Sequence, residues 1–479
     1  MPNNAKRTKL ICTIGPACSD ETTLREMMLA GMNAARLNFS HGTHDEHKVV
    51  LDRIKALRKE LNLPLAIILD TKGPEIRTDM FENGSAQLVA GTRFTIKTEE
   101  VLGDATQCSV SYKGFAHDVR VGDSVLIDDG LIGLRVDEIQ DGDVLCTVEN
   151  GGTVSNRKSI NIPGAIVRLP AISEGDKEDI RFGIDEDIDF VAASFVRKAA
   201  DVLEIRAYLD MLGGHEIKII SKIENREGVA NISEIIDASD GIMVARGDLG
   251  VETPPEAVPL IQKDIIKSCN ERGKFVITAT QMMDSMIRNP RPTRAEVADV
   301  ANAILDGTDA TMLSGETASG KYPIEAMQMM VNVARSAESA IEYRRFTKDS
   351  EEIFKGDVTS IIGRSTVRCA ESLGARAIVT PTSSGNTALM IAKHRPTMPI
   401  IAFSMNRKVV RQLSLVWGVS AYYMERQDDQ QAFFRAVISH CMQLELVAQG
   451  DIIVLTAGVP LGVSGKTNML RIHEIGKPF

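Results

Sequence analysis

The run Ile217-Lys218-Ile219-Ile220-Ser221-Lys222-Ile223-Glu224-Asn225 decides the fold. Its first half is rich in β-branched isoleucine, interrupted only by Lys218, as a buried strand should be. Its second half carries a lysine and a glutamate two residues apart. On a strand, positions i and i+2 point to the same face. Charge is costly to bury unless it is paired or bound. That face is therefore wet, or it holds a ligand.

Seven other runs have the same design, apolar first and polar or glycine-rich at the end: KLICTIGP (9–16), MNAARLNFSHG (32–42), LAIILDTKGP (65–74), DFVAASFVRK (189–198), GIMVARGDLG (241–250), KFVITATQM (274–282) and ATMLSGET (310–317). Helix-like segments lie between them, among them DETTLREMMLAG, HDEHKVVLDRIKALRKEL and EGVANISEIID. Alternating strand and helix implies parallel strands, and eight such units imply a closed (β/α)8 TIM barrel of the α/β class. In that barrel the working site lies at the C-terminal strand ends, where the polar residues gather here.

From about 75 to 167 the rhythm breaks into short alternating segments with Asp-Gly turns, which are hairpin signals. The expected organisation is a barrel from 1–70 and 168–345, a small β-barrel lid inserted at 71–167, and a C-terminal α/β domain at 346–479. An insertion at the catalytic face is placed to act as a lid.

Composition narrows the function. With 43% apolar and 25% charged residues, the 479-residue chain reads as a soluble globular protein. A formal net charge of -10 argues against nucleic acid or an anionic membrane as partner. Seven cysteines without CxxC spacing suggest neither a disulfide framework nor a thiolate metal site. The N-terminal apolar stretch is too short for a signal segment or a membrane span. A cytoplasmic, reduced setting is expected.

The strand-end residues suit phosphoryl transfer. Arg36, Asn38 and Ser40 share a face, with His41 just beyond. Asp70, Thr71, Lys72 and Arg77 follow the third run, Lys222 and Glu224 the fifth, and Arg246-Gly247-Asp248 the sixth. Thr278 and Thr280 come from the seventh, Ser314 and Glu316 from the eighth. Hard oxygen donors suit Mg²⁺ rather than zinc, and fixed cations suit phosphate. Any one charge at a strand end is more often a solvated surface group, so the weight rests on the set. Thr293-Arg294-Ala295-Glu296 reads as a capping box and nothing more. Thr382-Ser383-Ser384-Gly385-Asn386-Thr387 opens a helix and is either a phosphate cradle or a plain cap. Neither GxGxxG nor GxxxxGKS occurs.

The motifs IISKIENREG, DGIMVARGDLGVE, VITATQMMDSMI, NPRPTRAEVADVANAILDGTDATMLSGETASGKYP, ARLNFSHGTH and ILDTKGPEIRT together resemble the pyruvate kinases over nearly the whole chain. The likeness is to bacterial, fructose-bisphosphate-activated-like forms without a C-terminal extension. It implies phosphoryl transfer from phosphoenolpyruvate to ADP. It assigns Mg²⁺ (or Mn²⁺) to Glu224 and Asp248, and K⁺ to Asn38, Ser40, Asp70 and Thr71, with Glu75 marking K⁺ dependence. It gives substrate contacts to Arg36, Gly247, Asp248 and Thr280, and stabilisation of the moving phosphoryl group to Lys222. Arg77, Lys158 and His41 fall to the nucleotide, with Arg157 able to replace Lys158. Thr280, Ser314 and Glu316 stand near the enolate as candidates for ordering a proton-delivering water. A phosphorylated sugar or nucleotide effector is implied at 382–387 and Lys466, and a homotetramer as the assembly. On this reading Lys222 and Glu224 are partnered by substrate and metal, not by each other.

Two other readings are weighed. A Schiff-base aldolase would use Lys222 as nucleophile and would not need Glu224 and Asp248 as metal ligands. A metabolite sensor on a degenerate barrel would have lost site residues, yet each matched position keeps a competent side chain.

Overall fold

The protein is described here by a computed structural model covering residues 6–341, 357–425, 429–459 and 467–478. The first three strands are β1 (Lys9–Thr13), β2 (Ala34–Asn38) and β3 (Ala66–Asp70). The lid strands are β4 (Ile76–Arg77), β5 (Ser85–Leu88), β6 (Arg93–Lys97), β7 (Gln107–Ser109), β8 (Ser124–Ile127), β9 (Ile132–Gln140), β10 (Asp143–Asn150), β11 (Gly152–Ser155) and β12 (Ser159–Asn161). Then come β13 (Phe190–Ala193), β14 (Lys218–Ile223), β15 (Gly241–Ala245), β16 (Phe275–Ala279) and β17 (Ala310–Leu313).

Strands β1-β17-β16-β15-β14-β13-β3-β2 close into one parallel barrel, and each begins in one of the eight apolar runs. Strand alternation divides the side chains. Ile220 lies in the barrel interior with Ile68, Phe190, Met243, Phe275 and Ile277. Ile219 and Ile223 face outward into the layer shared with the helices. Lys222 and Glu224 have the parity of Ile220, so they continue the inward face to the C-terminal rim. Gly241 makes room for this packing: a Cβ there would sit 2.3 Å from the Phe275 ring.

Two local readings need correction. The segment 227–237 forms two helices, Arg226–Ala230 and Ile232–Ala238, rather than one. Asn225 caps the first through Gly228 N at 2.7 Å. The sixth run stops being a strand at Ala245, and Arg246–Glu252 is helical. The capping box at Thr293 and Glu296 forms as read.

The insertion builds a seven-stranded sheet, β4-β12-β8-β9-β10-β6-β7, with β11 and β5 paired beside it. A bridge between Thr78 and Val110 ties the segment after β4 to the segment after β7. Asp141 and Gly142, at φ 53 and 88, make the left-handed turn between β9 and β10. Arg197 fastens the lid's return to the barrel, donating to Val167 O and Leu169 O, each at 2.7 Å.

The C-terminal region forms a sheet of order β20-β19-β18-β21-β22, from β18 (Ala377–Pro381), β19 (Ile400–Ser404), β20 (Val419–Tyr423), β21 (Ile452–Ala457) and β22 (Met469–Glu474). Apolar clusters cover both its faces. It also plugs the barrel: Leu415 packs among the interior barrel residues. Around that plug, Arg395 is 2% exposed and pairs with Asp309 at 2.8 Å. It also donates to Asn270 Oδ1 at 2.8 Å and Gly307 O at 2.6 Å, and lies over the Trp417 ring. Arg411 reaches Asp189 at 2.6 Å. Among the described residues, no helix is long and apolar enough to cross a membrane.

Removing one member of a buried ion pair strands the other. Arg395→Met is therefore expected to cost about 3–5 kcal/mol of stability. Trp417 is the chain's sole tryptophan, so its fluorescence in a urea titration reads the transition; an unchanged midpoint would refute the assignment.

Candidate functional site

At the C-terminal rim the charges converge. Lys222 Nζ lies 3.1 Å from Asp70 Oδ1, 3.0 Å from Glu224 Oε1 and 2.6 Å from Ser194 Oγ. The ammonium donates hydrogen bonds to Asp70 and Ser194 and forms an ion pair with Glu224. Asp70 also accepts from Arg36 Nε at 2.6 Å, and Arg36 Nη1 donates to Thr13 Oγ1 at 3.0 Å. The β2–β3 register sets Asn38 level with Asp70 and Arg36 level with Ile68, so Arg36 reaches diagonally along the face. One direct contact departs from the sequence reading: Lys222 and Glu224 do pair with each other. Same-face residues two apart on a strand are within reach for side chains of this length.

Burial sets the electrostatics. Asp70 is 1% exposed. Burial alone would raise its pKa, but Arg36 and Lys222 outweigh that and hold it below the usual carboxylate value. Burial likewise works against the Lys222 charge, yet Asp70 and Glu224 more than compensate and raise its pKa. Glu224 is pushed up to about 7, first by burial; Asp248 adds to the shift while Lys222 opposes it. Asp248 is also raised, mainly by burial. Buried Glu224 and partly buried Asp248 form a hard, anionic donor pair that a divalent cation would satisfy. Among the described residues no group of three or more His, Cys, Asp or Glu comes together to hold a metal, so such an ion would draw further ligands from substrate or water.

The neighbouring strand ends are tied together by backbone strain. Thr280 and Gln281 sit at φ 66 and 52, a left-handed pair that β-branched threonine rarely adopts. Arg246 holds the turn by donating to Thr280 O at 2.8 Å. Gly247 N donates to Thr280 Oγ1 at 2.8 Å, so that amide already has a partner within the rim. Glu316 accepts from Met283 N at 3.0 Å and Ser314 N at 2.8 Å. The Ser314 hydroxyl is buried and makes no hydrogen bond.

On the lid side, Arg77 pairs with Glu75 at 2.7 Å and donates to Arg157 O at 2.7 Å. Lys158 pairs with Asp128 at 2.8 Å. His41 offers its carbonyl to the His47 ring at 2.9 Å. Asn38 Oδ1 accepts from Ser40 N at 3.2 Å, and Thr71 Oγ1 donates to Ala192 O at 3.3 Å. A cleft of about 460 Å³ runs between the lid's 159–169 segment and the barrel rim, with Glu75, Phe195 and Asp248 among its walls.

In the C-terminal region, Gly385 takes φ 87 and its amide donates to Thr382 Oγ1 at 3.0 Å, ahead of helix Asn386–Ala392. Thr387 Oγ1 meets Thr467 Oγ1 at 3.0 Å. Lys466 lies outside the described residues.

The sequence reading missed Ser194 and Phe195. Ser194 Oγ donates to Thr71 O at 2.7 Å, and Phe195 N donates to Glu224 Oε2 at 2.6 Å. The available signal was positional: Ser194 lies within the fourth run, directly after β13, at the rim where the other runs carry charge. A neutral serine did not stand out.

Comparison with known proteins follows the same lines. The family model described as pyruvate kinase, barrel domain, matches residues 5–327, and that described as pyruvate kinase, alpha/beta domain, matches residues 360–473. The chain is 52% identical over 472 residues to a pyruvate kinase of Geobacillus stearothermophilus, covering 98% of this chain and 80% of the relative. It is 50% identical over 471 residues to one of Clostridium acetobutylicum, covering 98% and 100%. A crystal structure of a pyruvate kinase from Cryptosporidium parvum superposes with a TM-score of 0.93 at 41% identity, covering 98% of this chain and 96% of that one.

Gly73 stands at φ 75, and a Cβ there would lie 2.7 Å from Ser194 Cβ. Gly73→Ala is expected to lose about 1–3 kcal/mol in thermal or urea unfolding, since both backbone and neighbour oppose it. Wild-type stability would show that the loop yields without cost.

Proposed function

This chain belongs to the pyruvate kinase family, and from that premise we propose how its barrel mouth moves the phosphoryl group of phosphoenolpyruvate to ADP, giving pyruvate and ATP. The observation that carries the proposal is the fixed pair of cations, Lys222 and Arg36, sharing the buried Asp70. Phosphoryl transfer spreads negative charge over the oxygens of the group in flight, so positioned cations supply much of the catalysis. Arg36 binds the phosphate. Lys222 stabilises the moving group and then the enolate. Both are held before substrate arrives, so little reorganisation is needed at the transition state.

Glu224 and Asp248 would hold Mg²⁺ or Mn²⁺, as a buried carboxylate beside a partly buried one suits. Asn38, Ser40, Asp70 and Thr71 offer K⁺ an all-oxygen set with one formal charge, and Glu75 accords with that dependence. Bound there, the ions supply positive charge and Lewis-acid polarisation to the substrate oxygens. Thr280 and the backbone of Gly247 and Asp248 orient the substrate carboxylate; Gly247 N would exchange its bond to Thr280 Oγ1 for that purpose. Arg77 and Lys158 turn from Glu75 and Asp128 to the nucleotide phosphates, with His41 beside them. The 71–167 lid closes over the mouth and excludes water. Protonation of the enolate involves the Thr280, Ser314 and Glu316 corner. Ser314 is the best placed of the three, because its hydroxyl is uncommitted while Glu316 accepts two backbone amides.

Regulation is proposed at Thr382, Ser383, Ser384, Gly385, Asn386 and Thr387 with Lys466, by a phosphorylated sugar or nucleotide. The contact of Thr387 with Thr467, the residue after Lys466 in the chain, supports this reading. A cytoplasmic homotetramer is the proposed working form. The aldolase reading is not favoured. A Schiff-base lysine needs its neutral amine, and Lys222 is held as the charged form by two carboxylates.

A coupled assay with phosphoenolpyruvate, ADP and Mg²⁺, with and without K⁺, is expected to yield pyruvate and to slow sharply without K⁺. No pyruvate under either condition would end the proposal. Lys222→Met should lower kcat by about 10²–10³ while the fold persists; activity near wild type would remove Lys222 from its role. Glu224→Gln should raise the Mg²⁺ concentration needed for half-maximal rate, and an unchanged requirement would place the metal elsewhere.

A further inference from the structure

The turn after β13 holds both members of the β14 charge pair at once. Ser194 Oγ accepts from Lys222 Nζ at 2.6 Å, the shortest of that ammonium's three contacts. The same hydroxyl donates to Thr71 O at 2.7 Å, and Ser194 N donates to Thr71 Oγ1 at 3.2 Å. The next residue, Phe195, stands at φ 57 and aims its amide at Glu224 Oε2, 2.6 Å away. Ser194 is 4% exposed, and its bonds to Thr71 O and Lys222 Nζ fix the direction of the hydroxyl.

The partners of Lys222 differ in kind. Asp70 and Glu224 are carboxylates, and each attracts the ammonium toward itself. Ser194 is the neutral one. A hydroxyl that gives its proton to Thr71 O presents a lone pair to the ammonium without offsetting its positive charge. It therefore fixes the direction of the lysine and leaves its charge for use.

We propose that Ser194 is a positioning residue for phosphoryl transfer: it orients Lys222 at the barrel mouth, while the adjacent Phe195 amide separately orients Glu224. The inference rests on the reading that Lys222 acts on the moving phosphoryl group. Misplacing such a group by about 1 Å can cost about 10² in rate. Ser194→Ala removes the neutral acceptor and leaves both carboxylates. It is expected to lower kcat by about 10²-fold, with KM for phosphoenolpyruvate and the Mg²⁺ half-saturation nearly unchanged, since Glu224 keeps its own backbone donor.

The decisive measurement is a double-mutant cycle in the full-length protein, using steady-state kinetics with phosphoenolpyruvate and ADP. If Ser194 acts through Lys222, adding Ser194→Ala to Lys222→Met should cost less than about twofold more, because residues that act as a unit are non-additive. A full second loss in that background would overturn the proposal. So would wild-type kcat in Ser194→Ala, or a loss carried by the Mg²⁺ half-saturation. Ser194→Cys keeps the volume and offers only a weak sulfur acceptor, so it should lose kcat in the same direction; it serves if the alanine variant fails to fold, and full activity in it would equally overturn the idea. If Lys222→Met itself keeps activity, the role of Lys222 has failed. If Lys222→Met is impaired and Ser194→Ala is not, only the role of Ser194 has failed.

Discussion

The barrel mouth depends on a carboxylate that is almost wholly removed from water. Asp70 ends β3 and holds two cations, Arg36 from β2 and Lys222 from β14. Left alone, such a charge would be costly to bury; with two partners it stays ionised and pins both. Three strands that are separate in sequence are thus fixed in one electrostatic arrangement. The cations stand ready before any anion arrives, which is the condition under which they assist a reaction rather than follow it.

The same device recurs at the opposite end of the barrel with a different result. Asp309 and Asp189 lie at the N-terminal ends of their strands and receive Arg395 and Arg411 from the C-terminal region. Leu415 enters the barrel core beside them. There the partners are permanent residues of the chain and the interior is closed, so the pairs join two units of structure. At the mouth, by contrast, the cleft beneath the lid adjoins Asp248 and Glu75. Polar strand ends that are plugged hold the fold together, while those that meet a cleft are available to a ligand.

Much of this was legible along the chain. The eight barrel strands follow from apolar runs whose length and spacing leave few other parallel arrangements. The interruption at about 75 was visible as a change of period from continuous to alternating, with Asp-Gly turns. Lys222, Glu224, Asp70 and Arg36 stood out because charge at the end of a buried run is costly without a purpose. Ser194 and Phe195 did not, because a neutral hydroxyl and a backbone amide leave no mark in composition. The helix at Arg246 was read as a strand tail, since Arg-Gly-Asp has weak preference of its own and the barrel rim decides it.

What the sequence determined by itself is the set of strands, their parallel sense and the side chains they bring to one rim, because strand parity and the cost of buried charge act locally. What only the tertiary structure decided is who meets whom. Lys222 and Glu224 contact each other as well as their other partners, Gly247 N is committed to Thr280, and Ser194 stands against Lys222 across two strands. Such contacts depend on barrel register and on backbone turns such as those at Phe195 and Thr280. These are set by packing among residues far apart in the chain, and no local pattern encodes them.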